Sequence, residues 1–233
     1  MGSSGHCAAF GDFISKSREA GREIIMIARG GLVAREVSHP HAEAYQPREL
    51  ALTGLESIVD YRLAEMLAER GLSVVAKGKI DSRAGEISER LFCLPDLSTD
   101  DYQTFQKVDL VIHHGGSGTT MAALQSGKPQ LIIPNPGDTP DQMQHGARVA
   151  EIGCGRFIRS LSRIDEDEVW SHPKDVKEAL RLVTELLDNR MDWKGRCSRW
   201  KHKVEEGTVV DGMPVAVDTA RRLVVAAVKA REA

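Results

Sequence analysis

The sequence predicts an α/β fold in which a parallel sheet is covered by helices on both faces. Short apolar runs alternate with helical segments along most of the 233 residues, and this alternation is typical of parallel strands joined by crossover helices. The composition, 41% hydrophobic and 28% charged, is that of a globular protein with a substantial core. We assign residues 1–233 to one domain, with an irregular excursion at about residues 31–56.

The individual elements follow from the periodicity of apolar residues. Strands are predicted at residues 23–28, 72–76, 90–94, 109–113, 130–133 and 156–158. Helices are predicted at residues 8–20, 58–70, 99–107, 119–126, 142–152, 165–169, 174–187 and 218–230, whereas residues 189–214 have a looser pattern. Because no strand precedes the first helix, we expect the sheet to lack one strand. A gap or an exposed edge would invite pairing with another chain.

Charge and cysteine usage exclude several classes of function. The net charge of −3 comes without a clustered basic excess, which argues against a nucleic-acid partner. The four cysteines form no C-x-x-C pair, so we expect free thiols in a reducing compartment and no metal site. No apolar run reaches the ~18 residues of a membrane span, and the N-terminus lacks the apolar segment of a secretory signal. We therefore expect a cytoplasmic protein.

A glycine-rich turn between a strand and a helix carries the strongest chemical signal. The turn Gly115-Gly116-Ser117-Gly118 follows the predicted strand 109–113. Glycines allow the backbone to approach a phosphate closely, and the free amides and dipole of a helix N-terminus attract an anion. Ser117, Thr119 and His114 add hydrogen-bond donors. The alternative is a purely structural turn, and neither the dinucleotide fingerprint nor the P-loop ending is matched.

A second polar cluster lies about one β-α unit later. The loop Asn135–Pro140 leaves the carboxyl end of a predicted strand, where open parallel sheets bind ligands. Asp141 and Gln142 open the next helix, and a carboxylate beside an amide can accept from and donate to the vicinal hydroxyls of a sugar. The alternative is that Asp141 only caps the helix.

The order and spacing of these motifs over about fifty residues resemble the UDP-glycosyltransferase superfamily. The resemblance is nearest to bacterial macrolide and antibiotic glycosyltransferases and to sterol glycosyltransferases. The residues that carry it are His114-Gly115-Gly116-Ser117-Gly118-Thr119, Gly127-x-Pro129, Pro134, Asp141-Gln142, Ala147-Arg148-Val149 and Gly153-x-Gly155. The resemblance implies the C-terminal, donor-binding domain of a fold with two Rossmann-like domains.

The resemblance also implies a role for each motif. The donor diphosphate would be held by a first loop, Ser3, Ser4 and Gly5, and by the glycine turn, His114, Gly115, Gly116, Ser117, Gly118 and Thr119. Asp141 and Gln142 would hold the hydroxyls of the donor sugar. The stretch Cys93-Leu94-Pro95 corresponds more loosely to the segment that seats the nucleotide base. No metal and no other cofactor is implied, since the nucleotide sugar is a co-substrate.

The implied reaction is inverting transfer from a UDP- or dTDP-sugar to a hydroxyl of a small-molecule, lipid or polyketide acceptor. In the family, an N-terminal acceptor domain supplies the catalytic histidine, and we expect that domain to be absent here. His39 and His41 are poor replacements because general-base catalysis needs a fixed geometry. The catalytic base stays unassigned, and we expect the isolated chain not to transfer sugar.

Other interpretations stay open from the sequence. The chain is also compatible with a truncated, non-catalytic module that binds a nucleotide sugar. A further possibility is the donor subunit of a split glycosyltransferase, which would need a partner chain or self-association. A sugar epimerase on the same fold is a less favoured alternative.

Overall fold

Seven strands form one sheet in the computed structural model, which describes residues 3–28, 63–77, 85–94, 101–134, 140–158 and 173–206. The strands are β1 Ile24–Ala28, β2 Ser73–Lys77, β3 Gly85–Ser88, β4 Leu91–Leu94, β5 Leu110–His113, β6 Gln130–Ile132 and β7 Gly155–Phe157. They are ordered β3-β4-β2-β1-β5-β6-β7. Every neighbouring pair is parallel except β3 and β4, which form an antiparallel edge.

Seven helical segments belong to the described residues. They are α1 Ser3–Glu19, α2 over residues 63–69, α3 Asp101–Gln106, α4 Ser117–Gln125, α5 Pro140–Glu151, α6 Pro173–Asp188 and α7 Arg190–Glu205. Each predicted strand, and each predicted helix inside these ranges, has a counterpart within a few residues. The predicted α/β fold is confirmed.

The central strand β1 shows why the sheet is covered on both faces. All five of its side chains are buried, and alternate residues of a strand point to opposite faces. Ile25 and Ile27 join one apolar cluster with residues of α2 and α6. Ile24 and Met26 join another with residues of α1, α3 and α4. A strand buried on both sides needs a continuous apolar run, which explains the sequence of β1.

The topology places three helix N-termini at one edge of the sheet. From β1 the chain passes to β2 on one side and later returns to β5 on the other, so the strand order reverses between β1 and β5. Helices α4 and α5 begin just after the carboxyl ends of β5 and β6. In the last turn of α1, Arg18 bonds to Asp109, which lies at the amino end of β5. The opposite end of α1, its N-terminus, therefore lies towards the carboxyl edge of the sheet. Ligands of open α/β sheets bind at such a reversal.

The expected gap in the sheet is absent from the described strands, and that expectation was wrong. Ile25 of β1 is in register with Val74 of β2 on one side and with Leu110 of β5 on the other. Both edges of β1 are therefore hydrogen-bonded. The strands β2 and β5, like β1, are apolar and buried over most of their length, so each can pair with it directly. The antiparallel strand Gly85–Ser88 was not predicted, because its sequence GEIS contains no apolar run.

The prediction of a looser, irregular stretch at residues 189–214 was also wrong over much of its length. Helix α7 occupies Arg190–Glu205 and packs on α4 and α6. Trp193 and Cys197 lie one turn apart, and both are buried. Charged residues fill most other positions of this helix. Its apolar stripe is narrow, and the periodicity is correspondingly weak.

Several expectations fall outside the described residues. These are the excursion at residues 31–56, which includes His39 and His41, and the helices at residues 165–169 and 218–230. Among the helices that the structure describes, none is both long enough and apolar enough to cross a membrane.

Asp109 ties the start of β5 to α1 and β1. Its carboxylate accepts hydrogen bonds from Arg18 Nη1 at 2.6 Å and Nη2 at 2.9 Å, and from the Ile24 amide at 2.8 Å. Burial raises the pKa of Asp109, but the bonds from Arg18 and Ile24 outweigh burial, and the pKa lies below its ordinary value. The carboxylate therefore stabilises the fold above the unfolded pKa of about 3.9, and this stability is lost as the pH falls through the lower folded pKa.

We predict that Asp109→Asn lowers the free energy of unfolding at neutral pH by about 1–2 kcal/mol, because hydrogen bonds to charged groups are worth about twice those between neutral groups. The difference from the wild type should shrink as the pH falls below about 4, the unfolded pKa, towards the lower folded pKa at which the native carboxylate becomes protonated. Urea unfolding followed by tryptophan fluorescence measures this, with the exposed Asp12→Asn on α1 as control. A difference that does not change with pH would exclude the carboxylate as its source.

Candidate active site

The carboxyl end of β5 is built around a buried histidine. His113 is fully buried, and its Nε2 lies 2.8 Å from Oε1 of Gln130. The Gly115 amide donates to Nδ1 of His113 at 3.1 Å, so Nδ1 is an acceptor and carries no proton. Nε2 must then hold the proton that it donates to Gln130. His113 is thus a neutral imidazole that fixes the start of the glycine turn.

Gly115 occupies a conformation and a space that only glycine fills easily. Its φ is +94°, in the region that side-chain-bearing residues rarely adopt. A Cβ there would lie 3.0 Å from the carbonyl oxygen of Gln142 and 3.0 Å from Cγ2 of Ile132. The turn therefore runs directly against the first turn of α5. This contact brings together the two polar clusters that the sequence singled out.

A second imidazole holds the other side of Gly115. Nδ1 of His145, in α5, lies 2.6 Å from the Gly115 carbonyl oxygen. A carbonyl oxygen only accepts, so Nδ1 of His145 carries the proton. Both polar backbone groups of Gly115 are therefore bonded to histidines, one from β5 and one from α5.

The His114 side chain folds back over Gly116. A Cβ on Gly116 would lie only 2.6 Å from Nε2 of His114, so the ring occupies the space that a side chain at Gly116 would need. His114 is half-buried. The absence of a side chain at Gly116 thus sets the position of the His114 imidazole beside the N-terminus of α4.

The N-terminus of α4 lacks a side-chain cap. Gly116 is the N-cap residue, with φ −60° and ψ 142°, and within the described part of the chain it has no side-chain cap hydrogen bond. Its carbonyl accepts from the Thr120 amide at 2.9 Å and from Thr120 Oγ1 at 2.8 Å. The amides of Ser117, Gly118 and Thr119 have no partner within the helix. This first turn contains no acidic residue, and the helix dipole makes it favourable for an anion.

The first turn of α5 borders the same space. Asp141 is exposed and Gln142 is half-buried at the beginning of the helix, one to two residues after Pro140. Because the Gln142 backbone lies against Gly115, both side chains are attached close to the glycine turn. The arrangement offers an anion-binding helix terminus next to a carboxylate and an amide, which together suit a phosphorylated sugar. Residues 135–139 of the preceding loop lie outside the described residues.

Comparison with known proteins identifies relatives of this chain. The family model "Erythromycin biosynthesis protein CIII-like, C-terminal domain" matches residues 102–190. The sterol 3-beta-glucosyltransferase of Kluyveromyces lactis is 31% identical over 160 residues, and that of Aspergillus fumigatus is 32% identical over 164 residues. These alignments cover 67% and 66% of this chain. The structure of the spinosyn rhamnosyltransferase SpnG with thymidine diphosphate superposes on 79% of this chain, with a TM-score of 0.53 and 16% identity.

The chain contains a C-terminal domain of the UDP-glycosyltransferase superfamily. The resemblance seen in the sequence is confirmed. This glycosyltransferase domain is much shorter than its relatives: it spans 12% of the Kluyveromyces lactis enzyme, 10% of the Aspergillus fumigatus enzyme and 42% of the SpnG chain.

The structure places two predicted segments of the glycosyltransferase domain differently from expectation. Ser3, Ser4 and Gly5 form the first turn of α1 and not a loop, since the helix begins before Ala8, where the apolar pattern starts. Their contact with phosphate stays a prediction. It is compatible with the direction of α1, whose N-terminus lies towards the carboxyl edge of the sheet. Cys93 and Leu94 are buried in β4, and their contact with a nucleotide base stays a prediction. Pro95 lies outside the described residues.

Three residues that shape the site were not singled out from the sequence. His113 and Gln130 are buried polar residues in neighbouring strands, and His145 belongs to the second turn of α5. Val111 is the partner of Gln130 in the parallel register, so His113, two residues later, lies on the same face as Gln130. A polar residue in each of two adjacent apolar runs was the available signal for this pair.

We predict that Gly116→Ala displaces the His114 imidazole, because a Cβ 2.6 Å from Nε2 is closer than any normal contact. The backbone angles of Gly116 are allowed for alanine, so the fold should survive. The ring resonances of His114 in ¹H–¹³C NMR spectra should shift clearly. The control is Gly195→Ala on α7, where a Cβ meets nothing within 4 Å. Unchanged His114 resonances in Gly116→Ala would contradict this geometry.

Proposed function

We propose that this domain binds a nucleoside-diphosphate sugar as the donor half of an inverting glycosyltransferase. The observation that carries the proposal is the uncapped N-terminus of α4, held against the first turn of α5. The diphosphate would accept hydrogen bonds from the amides of residues 116–119, from the hydroxyls of Ser117 and Thr119, and from His114. A dianion is stabilised there by several aligned donors and by the helix dipole.

Asp141 and Gln142 would bind the sugar hydroxyls, since they begin the helix that borders the diphosphate site. The distance between the two subsites is set by the contact of Gly115 with the Gln142 backbone. A carboxylate accepts from two neighbouring hydroxyls, and an amide both donates and accepts. This pairing favours a sugar over a second phosphate, which the Asp141 carboxylate would repel.

In the proposed reaction the acceptor oxygen attacks the anomeric carbon as the bond to the diphosphate oxygen breaks. Negative charge then grows on the departing diphosphate. Donors already aimed at that position stabilise the charge without reorganising, and this term is often the largest in catalysis. The helix dipole, the hydroxyls and His114 would supply it without a metal ion. We propose that an acceptor-binding domain, in the same polypeptide or in a separate chain, supplies the general base.

The nature of the donor and the acceptor follows by analogy with the relatives. The SpnG structures contain thymidine diphosphate or the spinosyn aglycone, and the fungal relatives are named sterol 3-beta-glucosyltransferases. We therefore propose a uridine or thymidine diphosphate sugar as donor and a hydroxylated lipid, polyketide or other small molecule as acceptor.

His114→Ala is expected to weaken the binding of uridine or thymidine diphosphate by roughly tenfold or more, because a hydrogen bond to a charged group contributes about 1.5–3 kcal/mol. Isothermal titration calorimetry measures this affinity. His202→Ala is the matched control, since that histidine is exposed and lies in the last turn of α7, outside the glycine turn and the first turns of α4 and α5. Equal affinities of wild type and His114→Ala would remove His114 from the site.

Asp141→Asn and Gln142→Ala should each weaken the binding of the intact nucleotide sugar and leave the free nucleoside diphosphate nearly unaffected. The physical reason is that both side chains are assigned to sugar hydroxyls and not to phosphate. Calorimetry with both ligands on each variant separates the two contributions. An equal loss for both ligands would show that the pair acts structurally, as a cap or an anchor of the loop.

A further inference from the structure

His145 controls the orientation of one peptide unit in the glycine turn. Its Nδ1–H donates to the Gly115 carbonyl oxygen across 2.6 Å, from the second turn of α5. The peptide between Gly115 and Gly116 is planar and trans, so its C=O and N–H groups point in opposite directions. Pulling the carbonyl towards α5 therefore directs the Gly116 N–H away from α5.

This peptide needs an external restraint. It joins two glycines, and glycine backbones rotate more freely than those of other residues. The Gly115 N–H is already bonded to His113, which fixes the preceding peptide. The bond from His145 is the corresponding restraint on the following one.

The directed amide is the N-cap amide of α4. Within the part of the chain that the structure describes, no residue accepts a hydrogen bond from the Gly116 N–H. It adjoins the first-turn amides of Ser117, Gly118 and Thr119, to which it adds one more donor. Four consecutive amides at an uncapped helix terminus form a cradle for a phosphate group.

We propose that His145 is a positioning residue of the donor site: by holding the Gly115 carbonyl, it aims the Gly116 amide at the donor diphosphate. The inference rests on the proposed function, because it assumes that a diphosphate occupies the N-terminus of α4. His145 lies one turn beyond Asp141 and Gln142 on the same helix. The same hydrogen bond therefore keeps the diphosphate and sugar subsites at a fixed separation.

Two substitutions separate positioning from packing. His145→Ala removes the donor and frees the peptide to rotate. His145→Asn keeps an N–H donor at nearly the position of Nδ1, and it loses the rest of the ring. If the ring acted only by filling space, both variants would behave alike, and both would differ from the wild type mainly in thermal stability.

Calorimetry with uridine diphosphate and thymidine diphosphate provides the first measurement on the 233-residue chain. His145→Ala should lose roughly tenfold in affinity, the effect of about one hydrogen bond to a charged group, and His145→Asn should recover most of it. His202→Ala serves as the control and should bind as the wild type does. The inference is overturned if His145→Ala binds like the wild type, or if His145→Asn binds as weakly as His145→Ala.

NMR of the ligand-free protein provides the second measurement. The ¹⁵N shift of Gly116 reports the hydrogen bond on the preceding carbonyl, so it should move in His145→Ala and return towards the wild-type value in His145→Asn. An unmoved Gly116 resonance in His145→Ala would also overturn the inference. If the wild type binds neither diphosphate, the proposed function itself fails. If it binds and the His145 variants do not differ from it, only the role of His145 fails.

Discussion

The site depends on the hydrogen bonds that two imidazoles make to one glycine. The Gly115 N–H donates to His113, and the Gly115 carbonyl accepts from His145. His113 is fixed in turn by Gln130, so the turn is linked to β6 as well as to α5. A buried polar group left without a partner costs about 1–3 kcal/mol, and each member of this network therefore constrains the others. The positive φ of Gly115 is maintained from both sides, and the amides that follow it are directed towards one place.

The sheet brings the parts of this network together. Strands β5 and β6 are parallel neighbours, so the glycine turn and α5 both begin at the same edge. Helix α5 also packs unusually close to β7, since a Cβ on Gly146 would lie 2.9 Å from the Phe157 side chain. This close packing brings the N-terminus of α5 against the turn. The position of Asp141 and Gln142 beside the N-terminus of α4 thus follows from strand order and from one small residue.

The sequence was sufficient for the features that depend on local pattern. A strand, a glycine turn and a helix in direct succession predicted α4 and its N-terminus, and Asp141 was correctly placed at the start of α5. It was not sufficient for features that depend on pairing between elements. The direct pairing of β1 with β5 replaced the expected gap, because strand partners are chosen in three dimensions. Helix α7 was missed because its buried stripe is narrow, and the bond from His145 to Gly115 joins residues 30 positions apart.

We propose above all that the N-terminus of α4 binds the diphosphate of a nucleotide sugar. The most direct measurement is a ¹H–¹⁵N NMR titration of the ¹⁵N-labelled chain with uridine diphosphate and thymidine diphosphate. We expect the largest shifts at the amides of Gly116, Ser117, Gly118 and Thr119, with smaller ones at the start of α5. The structure also has an open groove elsewhere, lined by Arg70, Lys177, Arg181, Glu185 and Asp188, which serves as the comparison site. Shifts centred on that groove, with the α4 amides unmoved, would contradict the claim.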